Sequence, residues 1–411
     1  MSHPSRILRS ESFVVGVVLT GLVAFVPLST DLYLPSLPGI ARAFMTDAAA
    51  AQLTLSAFLF GFALGQILYG PLSDRFGRRP VLLAGIVVYL VGTAACALAP
   101  SIEALTAARF AQALGACSGV VLARAIVRDL YAPERAASVL AYLASAMAIG
   151  PMIGPVIGGQ VEIRLGWRAN FALLAVFGAV MLAAVLATLR ESNTRKDPAA
   201  LAPARMAANF AEMLSARRFV GCALTATFCY GGLFTFISVS SFVLIDVVGL
   251  SPDTYGLSFA VMVAGYMVGS LSAGRLVQRL GVDRVMRSGG VLVAASGAIM
   301  AALAIMEDKS ISVAEIVLPM MAYGAGVGWV LPASTAAAVG PYPEKAGAAS
   351  SLLGLIQMLA AAALGAVVGH MLDGTARPMA IAIAVCGIGT LSVILTLSRL
   401  ERGLLKVSSG G

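Results

Sequence analysis

The sequence predicts an all-α polytopic membrane protein whose twelve transmembrane helices form two six-helix halves. Three observations predict it. Of 411 residues 59% are apolar and only 12% charged, with a mean hydropathy of +0.92, far less charge than the surface of a water-exposed domain requires. Apolar stretches of about 20 residues, each enough for about 30 Å of hydrocarbon, follow one another along the whole chain. Basic residues crowd into every second connection.

Taken in order, the stretches run over 13–34, 52–72, 80–99, 102–124, 136–160, 167–189, 218–246, 253–274, 284–305, 313–335, 346–371 and 379–398. None alternates with period two, as the strands of a membrane β-barrel would. The first is expected to be a span, not a cleaved leader, because it is too long, lacks a small-residue cleavage pattern and is followed by further spans.

With the N-terminus placed in the cytoplasm, 22 basic residues fall on the inner side, among them Arg6, Arg9 and six between Arg190 and Arg218, against 5 on the outer side (Arg42, Arg164, Arg168, Lys309 and Arg377). Both termini are therefore expected inside. The net charge of +8 follows from this topology and from attraction to anionic lipids, so no nucleic-acid partner is implied. Cys96, Cys117, Cys222, Cys229 and Cys386 all lie within or at the ends of spans and read as small packing residues. With His3 near the start and His370 alone at a helix end, no metal site or cofactor is suggested.

The longest polar interruption begins with "RESNTRKDPAALAPAR" and divides the spans six and six. It separates an N-terminal half, 1–189, from a C-terminal half, 218–411, through a cytoplasmic linker, 190–217. A weak repeat supports the division: "GPLSDRFGRRPVLL" at 70–83 is echoed by "GRLVQRLGVDRVM" at 274–286. Two six-helix halves related by a repeat are a transporter signature, with substrate expected near the midplane between them.

Four features carry chemistry. The first copy of the repeat places Gly70, Asp74, Arg75, Gly77, Arg78 and Arg79 between spans 2 and 3; the glycines allow a tight turn and close approach, Pro80 suits a first helical turn, and Asp74 can cap or dock against a helix end. Gln278 replaces Asp74 in the second copy. In span 4, Arg109 lies within an apolar run, where an arginine costs roughly 2.5–3.5 kcal/mol unless it faces a polar cavity, finds a partner or snorkels outward. Gln112 follows at i+3 and shares its face.

Span 5 contains "GPMIGPVIGG", with Gly150, Gly154 and Gly158 on one face and Pro151, Pro155 and Gly159 beside them. The glycine face admits a close helix neighbour and is expected to form the seam between the halves. In span 1, "LSTDLYLPSLPG" carries Asp31 amid Pro27, Pro35 and Pro38, which imply a bent, extended span. Counted from Phe13, Asp31 falls at the outer end; with Arg109 as a partner, a cavity-facing position is expected. Further cavity-facing candidates are Tyr33, Gln52, Gln66, Tyr142, Tyr230, Phe234, Phe236, Tyr266, Tyr323, Trp329 and Gln357, of types that serve apolar cores and drug pockets alike. Asp246 is expected to be an exposed acid at a helix end.

Over essentially its whole length the chain resembles the major facilitator superfamily. "GPLSDRFGRRP" is similar to that superfamily's loop 2–3 motif, the pattern through Arg109, Gln112 and Gly115 to its proton-coupling span 4 motif, and "GPMIGPVIGG" to the antiporter motif of its exporters. "STDLYLPSLPGI", "RAIVRDLY" and "GWRANF" resemble, more narrowly, the Bcr/CflA drug:proton antiporters of bicyclomycin resistance and chloramphenicol/florfenicol efflux. Span 1 lacks the second acid that a related multidrug exporter type carries.

The resemblance implies proton-coupled efflux of small amphipathic drugs by alternating access across a bacterial inner membrane, by a monomer without a cofactor and with membrane lipids around it. Asp31 would be the proton and substrate site and Arg109 the coupling residue. The alternative is a symporter of the same fold that imports or exchanges a small metabolite; a membrane-embedded enzyme finds no support in any motif.

Overall fold

The computed structural model describes residues 13–194, 196–198, 200–307 and 311–408. His3, Arg6, Arg9, Arg195 and Lys309 lie outside the described residues. The helices are α1 (Phe13–Val23), α2 (Phe25–Asp31), α3 (Leu37–Ala43), α4 (Ala48–Phe76), α5 (Arg78–Ala97), α6 (Ile102–Leu130), α7 (Pro133–Leu165), α8 (Trp167–Thr188), α9 (Pro203–Ser215), α10 (Arg217–Ser241), α11 (Pro252–Leu280), α12 (Val282–Glu307), α13 (Val313–Val339), α14 (Ala346–Met371) and α15 (Arg377–Ser408). Among the described residues ten helices are long and apolar enough to span a membrane, or eleven when α1 and the continuous stretch Phe25–Ala43, bent by 40°, count as one. α7 adds a helix of 33 residues.

Helix ends follow local chemistry. Asp47 and Ser101 accept from the backbone N–H groups of Ala50 and Ala104 at the starts of α4 and α6, and Ser312 with Glu315 forms a reciprocal capping box on α13. Gly77 and Gly281, the paired glycines of the sequence repeat, both end helices at positive φ, +109° and +81°, where a side chain would be strained.

A second correspondence between the halves was not foreseen. Arg168, at the start of α8, donates to the carbonyls of Ala97 and Ala99 at and beyond the end of α5, and Arg377, at the start of α15, donates to those of Ala304 and Ile305 in the last turn of α12. Each guanidinium satisfies carbonyls that the helix end leaves free.

Within the N-terminal half α6 packs between α4 and α5; within the C-terminal half α12 packs on α13 and α15. The halves meet along two seams, α4 against α14 and α7 against α11. At one end of the molecule they part around a cavity of about 570 Å³, lined in part by Gln66, Asp74, Arg124, Arg128, Glu344 and Ser350. The opposite end is closed: Arg42 of α3 and Asp246 of the π-turn after α10 form an ion pair of 3.0 Å between the halves, and Gln160 of α7 reaches Asp253 of α11 at 3.5 Å.

Two regions carry more structure than their sequence alone shows. The first span does not stop near residue 34 but continues as α2, a 3₁₀ turn at Leu34–Ser36 and α3. Prolines at 27, 35 and 38 interrupt the helix without ending the buried apolar chain, since Leu34, Leu37 and Ile40 are fully buried. The linker is not featureless either. It folds α9 against α10 and α14, buries Met213, and joins Glu212 to Lys345 at 2.5 Å.

Glycine tolerance should follow these contacts. A Cβ at Gly158 would strike the carbonyl oxygen of Leu32, whereas one at Gly16 meets nothing within 4 Å. Gly158→Ala is expected to lower stability by about 1–3 kcal/mol, the usual cost of overpacking, and Gly16→Ala to leave it unchanged. Thermal unfolding of the purified proteins in detergent checks the contrast.

Candidate functional site

Asp31 ends α2, in the middle of the bent first span, and is 3% exposed. Its Oδ1 accepts a hydrogen bond from Thr30 Oγ1 at 3.1 Å, while Oδ2 is buried with no partner among the described residues. The glycine face of α7 makes the space. A Cβ at Gly150 would touch Pro27, one at Gly154 would lie 2.8 Å from Asp31 Cβ, and one at Gly158 would strike Leu32. This glycine face packs on span 1 within its own half, contrary to the expectation that it forms the seam. The adjacent face of α7 does that, with Gly159 against Pro252 and the carbonyl of Pro155 against Gly256. The two faces are about 100° apart because 154 and 155 are successive helical residues.

On the side of the other half lie α10 and α11, which carry Tyr230 and Tyr255 and pack on the 3₁₀ turn that follows Asp31. Tyr255 exchanges a hydrogen bond of 3.0 Å with Ser240. The carboxylate therefore belongs to the N-terminal half and is overlooked by the aromatic side chains of the other.

Arg109 is completely buried, yet among the described residues no ion pair joins it to Asp31. Its partner is instead the backbone of span 1. Tyr33 N–H bonds to Thr30 O, not to Ser29 O as an α-helix would require, and the freed carbonyl of Ser29 accepts from Arg109 Nη1 at 2.9 Å. The same nitrogen donates to Gln112 Oε1 at 2.6 Å. Gln112 Nε2 donates to Thr93 Oγ1, which donates to the carbonyl of Tyr89, and the hydroxyl of Tyr89 pairs with that of Ser29.

A closed circuit thus ties spans 1, 3 and 4 together. The rings of Tyr33 and Phe58 flank the guanidinium at 4.4 and 4.3 Å, with Phe171 at 5.9 Å. Nε and Nη2 have no hydrogen-bond partner among the described residues. Snorkelling is excluded by this burial, and the expected direct pairing with Asp31 is replaced by a mechanical link through Ser29, two residues away.

The other candidates divide. Tyr33 serves Arg109 and bonds Thr54 at 2.5 Å. Gln52 is fully buried between α4 and α14, donating to Ser56 and packed on Gly365 and Gly369, while Ser56 donates to the carbonyl of Ala362. It fastens the seam. Tyr230 stacks on Phe234, and Phe236 on Phe259. Tyr266 packs beside Gly324, Tyr323 is buried against Gly232, and Gln66 lines the open cavity while touching Gly354.

Gln357 Nε2 is buried without a partner. Trp329 donates to Ser272 and lines a separate cavity of about 520 Å³ inside the C-terminal half. Tyr142 is 75% exposed and outside the buried cluster.

At the open end, Arg78 bonds Asp74 at 2.5 Å and Asp129 at 3.0 Å. Glu191 accepts from the backbone N–H groups of Arg78 and Arg79 and so caps α5, the role expected of Asp74. Asn193 donates to the carbonyls of Ser73 and Asp74, and Arg79 to that of Leu186. Arg75 lies over the Phe76 ring. At Gly70 a Cβ would meet open space, so close approach there is not used in this conformation.

A sequence model described as Major Facilitator Superfamily matches residues 19–363 and again 222–409. The chain belongs to the Major Facilitator Superfamily. It is 32% identical over 384 residues to a chloramphenicol resistance protein of Pseudomonas aeruginosa, covering 91% of this chain and 87% of that one. It is 27% identical over 383 residues to a bicyclomycin resistance protein homolog of Haemophilus influenzae, covering 92% and 94%. A peptide transporter crystallised with sulfate superposes with a TM-score of 0.79 over 96% of both chains at 13% identity, a likeness of fold.

In this superfamily member the sequence missed one acid. Glu162 lies in α7 beyond the expected end of span 5 and accepts from Ser36 Oγ at 2.5 Å; Asn170 donates to the same hydroxyl. Its only sequence signal was its place two turns beyond Gly154.

The Arg109 circuit makes a measurable claim. Gln112→Leu removes an acceptor from a buried cation and is expected to cost about 1–3 kcal/mol. Phe58→Leu removes one π face and should cost about 0.5–2 kcal/mol, with Phe58→Tyr nearly neutral. Chemical or thermal denaturation ranks the three.

Proposed function

We propose that the protein exports small amphipathic compounds, of phenicol- or bicyclomycin-like kind, in exchange for protons. The observation that carries the reading is Asp31: a buried carboxylate with one oxygen unsatisfied, set beside tyrosines of the opposite half. That oxygen can be met by a proton or by a polar group of the substrate, so the two compete for one site. The two relatives' names, resistance to chloramphenicol and to bicyclomycin, support drug export as the direction.

In this reading α7 and the eleven other spans make twelve, the chain works as a monomer, and both termini and the loop 2–3 end face the cytoplasm of a bacterial inner membrane. The positive-inside bias supports that orientation. The cavity between the halves is then open to the cytoplasm and the Arg42 end closed to the outside. Substrate enters that cavity, displaces the proton of Asp31 toward the inside and leaves after the halves rock. Arg109 acts on Asp31 by holding α2 through Ser29, not as its counter-ion. Inward movement of a proton's charge draws on about 2.3 kcal/mol per 100 mV of membrane potential.

The test is a drug-susceptibility panel in an efflux-deficient host, with proton–drug exchange measured in proteoliposomes. Asp31→Asn is expected to abolish protection and exchange, and Arg109→Ala to reduce both strongly, at unchanged membrane abundance. Exchange retained by Asp31→Asn would show that another group carries the proton.

A further inference from the structure

Glu162 occupies a built berth at the closed end of the molecule, between α7 and span 1. One carboxylate oxygen accepts from Ser36 Oγ, and the other fills the space left at Gly39, where a Cβ would lie 2.5 Å from it. Asn170, 1% exposed, braces Ser36 and the carbonyl of Gly158, and its own Oδ1 has no donor among the described residues. Arg42 stands three residues beyond Gly39 in α3, one helical turn along the face against which the Glu162 carboxylate lies, and is the cation beside that berth.

Arg42, however, is bonded to Asp246 of the other half. The remaining charged groups nearby are otherwise engaged or turned away: Asp253 is held by Ser251 and Gln160, Arg168 binds the carbonyls of Ala97 and Ala99, and Arg164 is exposed.

One cation therefore faces two carboxylates, one in its own half and one across the gap. We propose that Glu162 is a positioning residue for the transport cycle, whose protonation from the outer side releases Arg42 to Asp246 and closes the outer end of the molecule. The inference rests on the orientation and antiport direction proposed above. Ionised, Glu162 competes for Arg42 and keeps it on the N-terminal half, which favours parting of the halves. Neutral, it leaves the full attraction of Arg42 to Asp246. The proton comes from the outer solution and returns there when the end reopens, so Glu162 reads outer acidity while Asp31 carries the transported proton. The sense suits an antiporter, in which a proton from outside must favour the inward-open state.

The experiment measures the outer distance between spin labels at Leu98→Cys and Met306→Cys in nanodiscs at acidic and alkaline pH. Both positions are exposed, at the outer ends of α5 and α12, and the native cysteines are buried. The wild type is expected to lengthen this distance as pH rises. Glu162→Gln should hold it short at every pH, Glu162→Asp should restore the response, and Arg42→Gln should abolish it. A wild-type response in Glu162→Gln, or its loss in Glu162→Asp as well, overturns the inference. Asp31→Asn separates the two readings: it should lose drug–proton exchange and keep the distance response, so either reading can fail alone.

Discussion

Arg109 is a guanidinium buried without an acid, and the N-terminal half is arranged to make that tolerable. Removing a cation from water costs several kcal/mol even after relaxation, and no carboxylate offsets it here. What offsets it is a backbone carbonyl, an amide oxygen and two aromatic faces. The carbonyl is available only because span 1 tightens after Thr30, and that tightening fits only because α7 presents glycine at 154 and 158. The kink, the glycine face and the buried arginine are thus one device, and Asp31 is placed by it. An Arg109–Asp31 ion pair would have tied the acid to α6; among the described residues none forms, and Asp31 is held by span 1 itself.

The hydrogen-bond circuit around Arg109 is confined to one half, and that confinement has a mechanical consequence. The circuit from Arg109 through Gln112, Thr93, Tyr89 and Ser29 never crosses to the C-terminal half, which contributes aromatic walls at Tyr230, Phe234 and Tyr255. The halves can therefore move against each other without breaking the most costly buried bonds. The repeat survives where geometry demands it, in the positive-φ glycines and the arginine-capped helix ends, and lapses where only one copy does chemistry, as at Asp74 and Gln278.

The spans and their division were legible in the sequence because hydropathy and the Lys/Arg bias are local quantities. That Arg109 and Gln112 share a face inside an apolar span was legible from type and spacing, whereas the depth of Asp31 was not, since counting from Phe13 put it at the outer end. Nor was the relation of Arg109 to Asp31: a missing intrahelical bond at Ser29 O depends on three-dimensional bending that a proline count suggests but does not register. The glycine stripe at 150, 154 and 158 announced a close neighbour without saying which, since the seam face begins one residue away. Glu162 escaped because the apolar count stopped before it, although the helix continues to Leu165.

The two seams are not equivalent. Along α4 and α14 the contacts run antiparallel from Gln52 with Gly369 and Gly365, through Ser56 with Ala362, to Gln66 with Gly354, a stretch of about 21 Å at 1.5 Å per residue. Between α7 and α11 the glycine contacts lie near one end, at 155–159 with 252–256. The two seams are similarly extensive and differ in kind: Ser56 donates to a backbone carbonyl across the α4–α14 seam, whereas glycine brings backbone against backbone between α7 and α11. In the transport cycle proposed above, the Gly159–Pro252 and Arg42–Asp246 contacts are those that part when the closed end opens.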